Sequence, residues 1–343
     1  MRRLVVVVAL VAVATGCAAH VSPPAHSPSA SAPASRAPEL RVITRLRLPG
    51  SNSRFDYASL DSRRGLLFVA HLGASQVVEV NIRTGQVVRT IGGLSQVHGV
   101  LVVPALHRVY ATATGANMVV RINEGTGRVL GQTPTGAYPD GLAYDPANDT
   151  IWTTNESGGS ETVIDAATGA RRGAVRLGGV VAGNVAYDPA SGHMLVDLQS
   201  QNQLAVIDPA TRRVIRRVPL PGCDDDHSLA LDSPARLAFI ACDVNSVLLT
   251  VDMTTWQVTG TANVAIEPDV LAFDGHSGRL YVASESGQVT VLQRHGPRMH
   301  VIDSQYLGDD AHAVAIDPAT GRSYFPVLKA SSGHPAVLVC ELS

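Results

Sequence analysis

Of the 27 basic residues in this 343-residue chain, only Lys329 is a lysine, and the 29 acidic residues leave a net charge of −2. With no surplus of positive charge and its arginines scattered, the chain lacks the basic footprint that nucleic-acid binding requires. Charged residues make up only 16%. The longest purely apolar stretch near the start, residues 4–13, is too short to span a bilayer as a helix. The four cysteines match no standard zinc-ligand spacing. There is no glycine-rich phosphate loop, no HExxH, no CxxCH and no GxSxG, so phosphoryl transfer, zincin chemistry, c-type haem and the nucleophile elbow are set aside.

What is abundant is glycine, proline and short β-branched runs: 31 Gly and 20 Pro, with 45% hydrophobic residues. This composition predicts many short strands joined by turns, and enough apolar side chains for a sizeable core.

The first 39 residues read differently. Arg2 and Arg3, the apolar run, then Ala14, Thr15, Gly16 and Cys17 have the order of an export signal ending in a bacterial lipobox. Residues 1–17 are therefore expected to be a lipoprotein signal with Cys17 lipidated; an ordinary signal peptide with an incidental cysteine is the alternative. Residues 18–39 are nearly all Ala, Ser, Pro and His without hydrophobic periodicity, the composition of a disordered tether. As a random coil it would reach about 25 Å. The expectation is an exported protein held at the cell envelope by a lipid anchor.

From residue 40 the chain repeats itself. Asp61, Val103, Asp145, Asp188, Asp232, Asp274 and Asp317 form a column with spacings of 42, 42, 43, 44, 42 and 43. Seven residues beyond each stand Phe68, Tyr110, Trp152, Leu195, Phe239, Tyr281 and Tyr324. Aromatics are only 4% of the chain, so six in one column mark a repeated structural unit. Twenty and twenty-three residues beyond the first five Asp/Val positions come an Asx column (Asn81, Asn123, Asp165, Asp208, Asp252) and a Thr column (Thr84, Thr126, Thr168, Thr211, Thr255). An Asx-x-x-Thr turn closes on the Asx side chain, and in the third repeat it joins the expected strands at 161–164 and 174–177. Strands at 142–145 and 151–154 complete that repeat.

Four strands per unit of 42–44 residues is the period of a propeller blade. The chain is therefore predicted to be all-β, a seven-bladed β-propeller over residues 40–343. The last repeat has sequence for only three strands, at about 314–317, 323–327 and 336–342. Residues 41–48, which alternate in strand fashion, are expected to supply the fourth and close the ring, because an open edge would leave backbone groups unpaired.

The phrases VYAT (109–112), LYVA (280–283), LFVA (67–70) and VIDAATG (163–169) resemble the YVTN-type β-propeller repeat proteins, although no copy carries the four letters intact. The resemblance implies a surface or periplasmic scaffold. Related propellers include lactonases and quinoprotein dehydrogenases, so it implies a fold more firmly than a reaction. The two tryptophans, Trp152 and Trp256, are too few for a quinone platform.

Five residues before the Asp column, where the chain enters each blade, are Asp56, His98, Asp140, Gly183, His227, Asp269 and His312. Acid and imidazole alternate around the ring with one gap. Such a ring can hold a cation, a divalent metal or a polar ligand; it can equally hydrogen-bond neighbouring blades. Loops on the same face offer His71, Asn155, Glu156, Gln199, Asp243 and Glu285 among others, with Glu156 and Glu285 the carboxylates best suited to binding or acid/base work. No resident cofactor is expected beyond a divalent metal at this mouth.

In PGCDDDHS (221–228), strand pairing brings Cys223 near Cys242, and a disulfide is expected in an exported protein. A Cys223/His227/Cys242 metal site and two free thiols are the alternatives. The three aspartates read as an exposed acidic turn, and Cys340 as a packed small residue. Function narrows to a ligand- or protein-binding scaffold at the envelope, taking an unknown small molecule or envelope protein; the alternative is a metal-assisted, lactonase-like hydrolase or lyase using the Asp/His mouth.

Overall fold

The computed structural model describes residues 38–343 and, before them, only positions 9, 10 and 12. Cys17, nearly all of the export signal and nearly all of the 18–39 tether lie outside the described residues.

Residues 40–343 form seven sheets of four antiparallel strands, a seven-bladed β-propeller with each blade running A-B-C-D from the channel outward. Blade 3 is typical: Pro139–Asp145, Thr150–Asn155, Ser160–Asp165 and Arg171–Arg176. The sequence-based boundaries fall within these strands except at the outer one, which begins and ends earlier. In blade 7, strands A to C are Ala315–Asp317, Arg322–Val327 and Ala336–Leu342. Its outermost strand is Leu40–Arg47, antiparallel to Ala336–Leu342 from Leu40↔Leu342 to Arg47↔Ala336. Leu40, Leu46 and Leu48 are buried there, so the closing strand is packed as well as hydrogen-bonded.

The two repeated columns do separate jobs. Asp carboxylates at the A-B turn accept backbone N–H groups two residues on, as Asp61 Oδ1 does from Arg63 (2.9 Å) and Asp274 Oδ1 from His276 (3.0 Å). Blade 2 has Val103 at this position and instead turns through a short 3-10 segment, Pro104–Leu106. The residues seven further on are at most 2% exposed in every blade. Each fills the wedge against the next blade; Phe68 packs with Val97 and Val100 of blade 2. A blade buries both faces only between neighbours, which is why the ring must close.

Candidate functional site

The connections from D to A and from B to C emerge on one face around the channel. Each A strand starts there, so the entry residues of successive blades converge. Asp56, Asp140, Asp269 and His312 are all but buried, at 3%, 6%, 6% and 0% exposure. His98 and His227 are half-buried. The gap in the ring has a steric cause: a Cβ on Gly183 would lie 2.5 Å from the His227 carbonyl.

These side chains enclose a cavity of about 160 Å³ lined by Arg54, Asp56, Tyr57, His98, Tyr138, Asp140, Glu156, His227, Asp269 and Glu285. Seven of the eight candidate residues from the sequence line it. The eighth, His312, stands behind Asp269, its Nε2 3.7 Å from Oδ2. A second cavity of about 180 Å³ adjoins across His227, Asp269 and Glu285 and adds Gln199, Asp243 and Glu267. His71 and Asn155, offered as loop contacts, are instead fully buried. His71 stacks on Phe55 and bonds Ser53, while Asn155 receives the Gly136 N–H and donates to Ser160.

Arg54 was not visible in the sequence pattern. Its guanidinium donates to Glu285 Oε1 at 2.7 Å and lies 3.7–3.8 Å from carboxylate oxygens of Asp56, Asp269 and Asp310. Burial opposes its charge, but the Glu285 bond and the charges of Asp56, Glu285 and Asp269 outweigh that and raise its pKa above the ordinary value. The signal was a second column seven residues before the Asp column: Arg54, Gln96, Tyr138, Val181, Asp225, Glu267 and Asp310. Five of these, Gln96, Tyr138, Asp225, Glu267 and Asp310, have φ between 46° and 69°. Non-glycine residues held there cost conformational energy, and such positions gather at binding sites.

Charge in the mouth is organised around Asp269. His227 Nε2 is 3.2 Å from its Oδ1, and Arg54 and His312 flank the other oxygen. Burial opposes its ionisation, yet these three cations hold Asp269 below the usual carboxylate range. Reciprocally, burial opposes charging of His227, but Asp269, Asp140 and Glu156 raise it to about 10. His312, likewise opposed by burial, is raised to about 9 by Asp310, 2.9 Å away, with Asp269 and Asp56. Both imidazoles are cations at neutral pH. The remaining acids are less well compensated. Burial pushes Asp140 up to about 6 and Asp56 well above its ordinary value, with neighbouring carboxylates adding to both. Glu156 is raised by burial and then by Asp140.

His98 is the exception among the imidazoles. Its Nδ1 donates to the Gln96 carbonyl (2.8 Å), leaving Nε2 to accept from the Tyr138 hydroxyl (3.0 Å). Burial lowers its pKa, so it is neutral. The floor is made by Tyr57, whose hydroxyl reaches across the channel to donate to Asn184 Oδ1 at 2.7 Å. Asn184 in turn donates to Ser228 Oγ (3.2 Å). Below this bridge lies a separate cavity of about 200 Å³ walled chiefly by valine and leucine.

Among the described residues no group of three or more His, Cys, Asp or Glu side chains is placed to hold a metal ion. The cations that stand among the mouth carboxylates are Arg54 and the His227 and His312 imidazoliums. Cys223 and Cys242 form a disulfide with Cα atoms 5.4 Å apart, which removes both thiolates from any metal set. Of the three neighbouring aspartates, Asp224 is exposed as expected and Asp225 half-buried, but Asp226 is not part of a solvated turn. Asp226 is buried, accepts the Leu198 N–H (3.1 Å), and is pushed up to about 7 by burial and the charge of Asp225 against its backbone hydrogen bonds; the buried Asp197 of blade 4 is raised in turn by burial and then by Asp226. Cys340 is a free, buried thiol.

No family model matches the chain, and no curated protein matches it. Solved structures do. It is similar to a streptogramin B lyase structure (TM-score 0.72, 13% identity, 90% of this chain and 98% of that one). U3-55K is similar at TM-score 0.73 and 10% identity, covering 88% and 98%. A chain of a mitotic checkpoint complex gives 0.74 and 11%, covering 94% and 98%. At such identities the likeness is one of fold, and the fold they share with this chain is the propeller.

Proposed function

We propose that this chain is an exported lipoprotein, held at the cell envelope through Cys17, whose channel mouth binds a small molecule or an envelope protein. A propeller presents loops on a rigid frame, which suits binding. One observation carries the assignment to the mouth. Asp140, 6% exposed, points into the cavity with its Oδ1 lacking any hydrogen-bond partner. A buried carboxylate oxygen without a donor costs about 1–3 kcal/mol, a cost that a ligand donor relieves. The export half rests on the basic, apolar and small-residue order ending at Cys17.

Native mass spectrometry of the protein purified from its own envelope tests the mouth. A bound species that is lost on Asp140→Asn or His227→Ala, with folding retained, supports the site; a bound species indifferent to both substitutions refutes it. Cys17→Ser tests the anchor, since it should move the protein from the membrane fraction to the soluble one.

A second reading, a hydrolase or lyase, draws on His98. A neutral imidazole beside Tyr138 and two carboxyl groups of raised pKa is an acid/base set at the edge of a cavity. The fold resembles that of a streptogramin B lyase, which is consistent with such a role. Turnover of a lactone by the wild type but not by His98→Ala would favour it.

A further inference from the structure

Building on the mouth as the ligand site, we infer that its ligand presents a positively charged amine, seated between Asp140, Glu156 and the Tyr138 ring. The first ground is charge. Five carboxyl groups line the chamber: Asp56, Asp140, Glu156, Asp269 and Glu285. Only Arg54 and the His227 imidazolium oppose them, leaving about three negative charges uncompensated when all ionise. Behind the wall His312 is matched by Asp310 and changes nothing. The adjoining chamber continues the trend with Asp243 and Glu267.

The second ground is the hydrogen-bond inventory. Asp140 Oδ1 has no donor in reach. The guanidinium of Arg54 is committed to Glu285 and its acidic neighbours, so an incoming anion finds no free cation. A neutral polyol can bond Asp140 but leaves the excess charge in place. An ammonium group supplies N–H donors and charge together. Tyr138, 39% exposed, stands edge-on to His98 at the rim and offers an aromatic surface to a cation.

The third ground is size. A volume of about 160 Å³ holds roughly five waters, so the chamber takes a compact amine or the end of a longer one. Burial first, and neighbouring carboxylates after it, raise the pKa values of Asp140 and Glu156, and a bound cation would oppose both shifts.

Three probes of one size separate the possibilities on the mature full-length chain: n-butylamine, butyrate and 1-butanol, followed by calorimetry and thermal shift. The amine is expected to bind and to release protons near pH 6. Asp140, which faces His227, Asp269 and Arg54 and lies near Glu156, should ionise on binding. Affinity should fall about tenfold from pH 7 to pH 5 as Asp140 takes up its proton. Asp140→Asn should weaken binding at least tenfold. Glu156→Gln and Tyr138→Leu, at less buried positions, should weaken it several-fold and serve if the first variant does not fold. Asp208→Asn, in an exposed outer turn, should leave it unchanged. Butyrate or butanol binding as well as the amine would overturn the charge assignment while leaving the mouth as a ligand site. Amine binding that survives all three mouth substitutions, or no amine binding, would overturn the inference outright. The mouth reading itself fails separately, by a co-purified ligand indifferent to Asp140 and His227.

Discussion

Glu161 offers a quantitative test that does not involve the mouth. It sits in strand C of blade 3, opposite Thr154. At the equivalent pairing in the other six blades stand Val77, Val119, Leu204, Leu248, Val289 and Val337, all apolar and buried. Glu161 is 0% exposed, and neither carboxyl oxygen has a hydrogen-bond partner. Burial raises its pKa to about 8, against a lowering by the nearby Thr154 hydroxyl. The native chain therefore holds a proton that the unfolded chain releases above about 4.5. Stability falls as pH rises through the window from about 4.5 to 8, and is unaffected by this group below it. At pH 7 the penalty is about 3 kcal/mol, from two and a half pKa units at 1.36 kcal/mol each. Glu161→Leu removes it, so the variant should be more stable than the wild type by about 3 kcal/mol at pH 7. The gain should shrink to about 1 kcal/mol or less at pH 4.5. Glu161→Gln should gain less at pH 7, because a buried amide remains unpartnered. Urea unfolding at pH 4.5, 6, 7 and 8 measures this directly. A gain independent of pH would refute the linkage, and a loss of stability would mean that Glu161 is satisfied by a partner.

Two further expectations concern the frame. A Cβ on Gly99 would lie 2.3 Å from the Asp140 carbonyl oxygen, so Gly99→Ala should destabilise by about 2–3 kcal/mol, seen as a lower urea midpoint with an unchanged slope. Deleting residues 40–47 removes the outermost strand of blade 7 and exposes the edge of Ala336–Leu342. Losing the burial of Leu40 and Leu46 alone is worth about 5 kcal/mol, a large fraction of a domain's stability. The truncated chain should melt far below the full one or aggregate; an unchanged melting temperature would count against closure by that strand.

Much of the architecture was legible because blades repeat what they share. The Asp column recurs since an A-B turn needs an acceptor for its backbone N–H groups, and the aromatic column recurs since each inter-blade wedge needs filling. The Asp/His ring was legible for the same reason, as a column of entry residues. What repetition does not record is how blades differ. Arg54 stands in a column with Gln, Tyr, Val, Asp and Glu, and so was dismissed as one of many scattered arginines. Tyr57 became the channel floor only because Asn184, 127 residues away, comes opposite it across the hub. Asp226 looked like part of a solvated turn because three aspartates in a row usually are. Its burial follows from the register that sets Asp226 opposite Cys242. Glu161 was hidden because the repeat was aligned on its polar and aromatic columns, whereas its own column is aliphatic elsewhere.

The closed ring gathers side chains from separate blades into one charge network around Asp269. The direct measurement is an NMR titration of the histidine side chains. His227 should remain protonated past pH 8, its pKa near 10, and should fall back towards 6.5 in Asp269→Asn. A wild-type His227 that titrates near 6.5, unmoved by the substitution, would show that the network is not assembled as described.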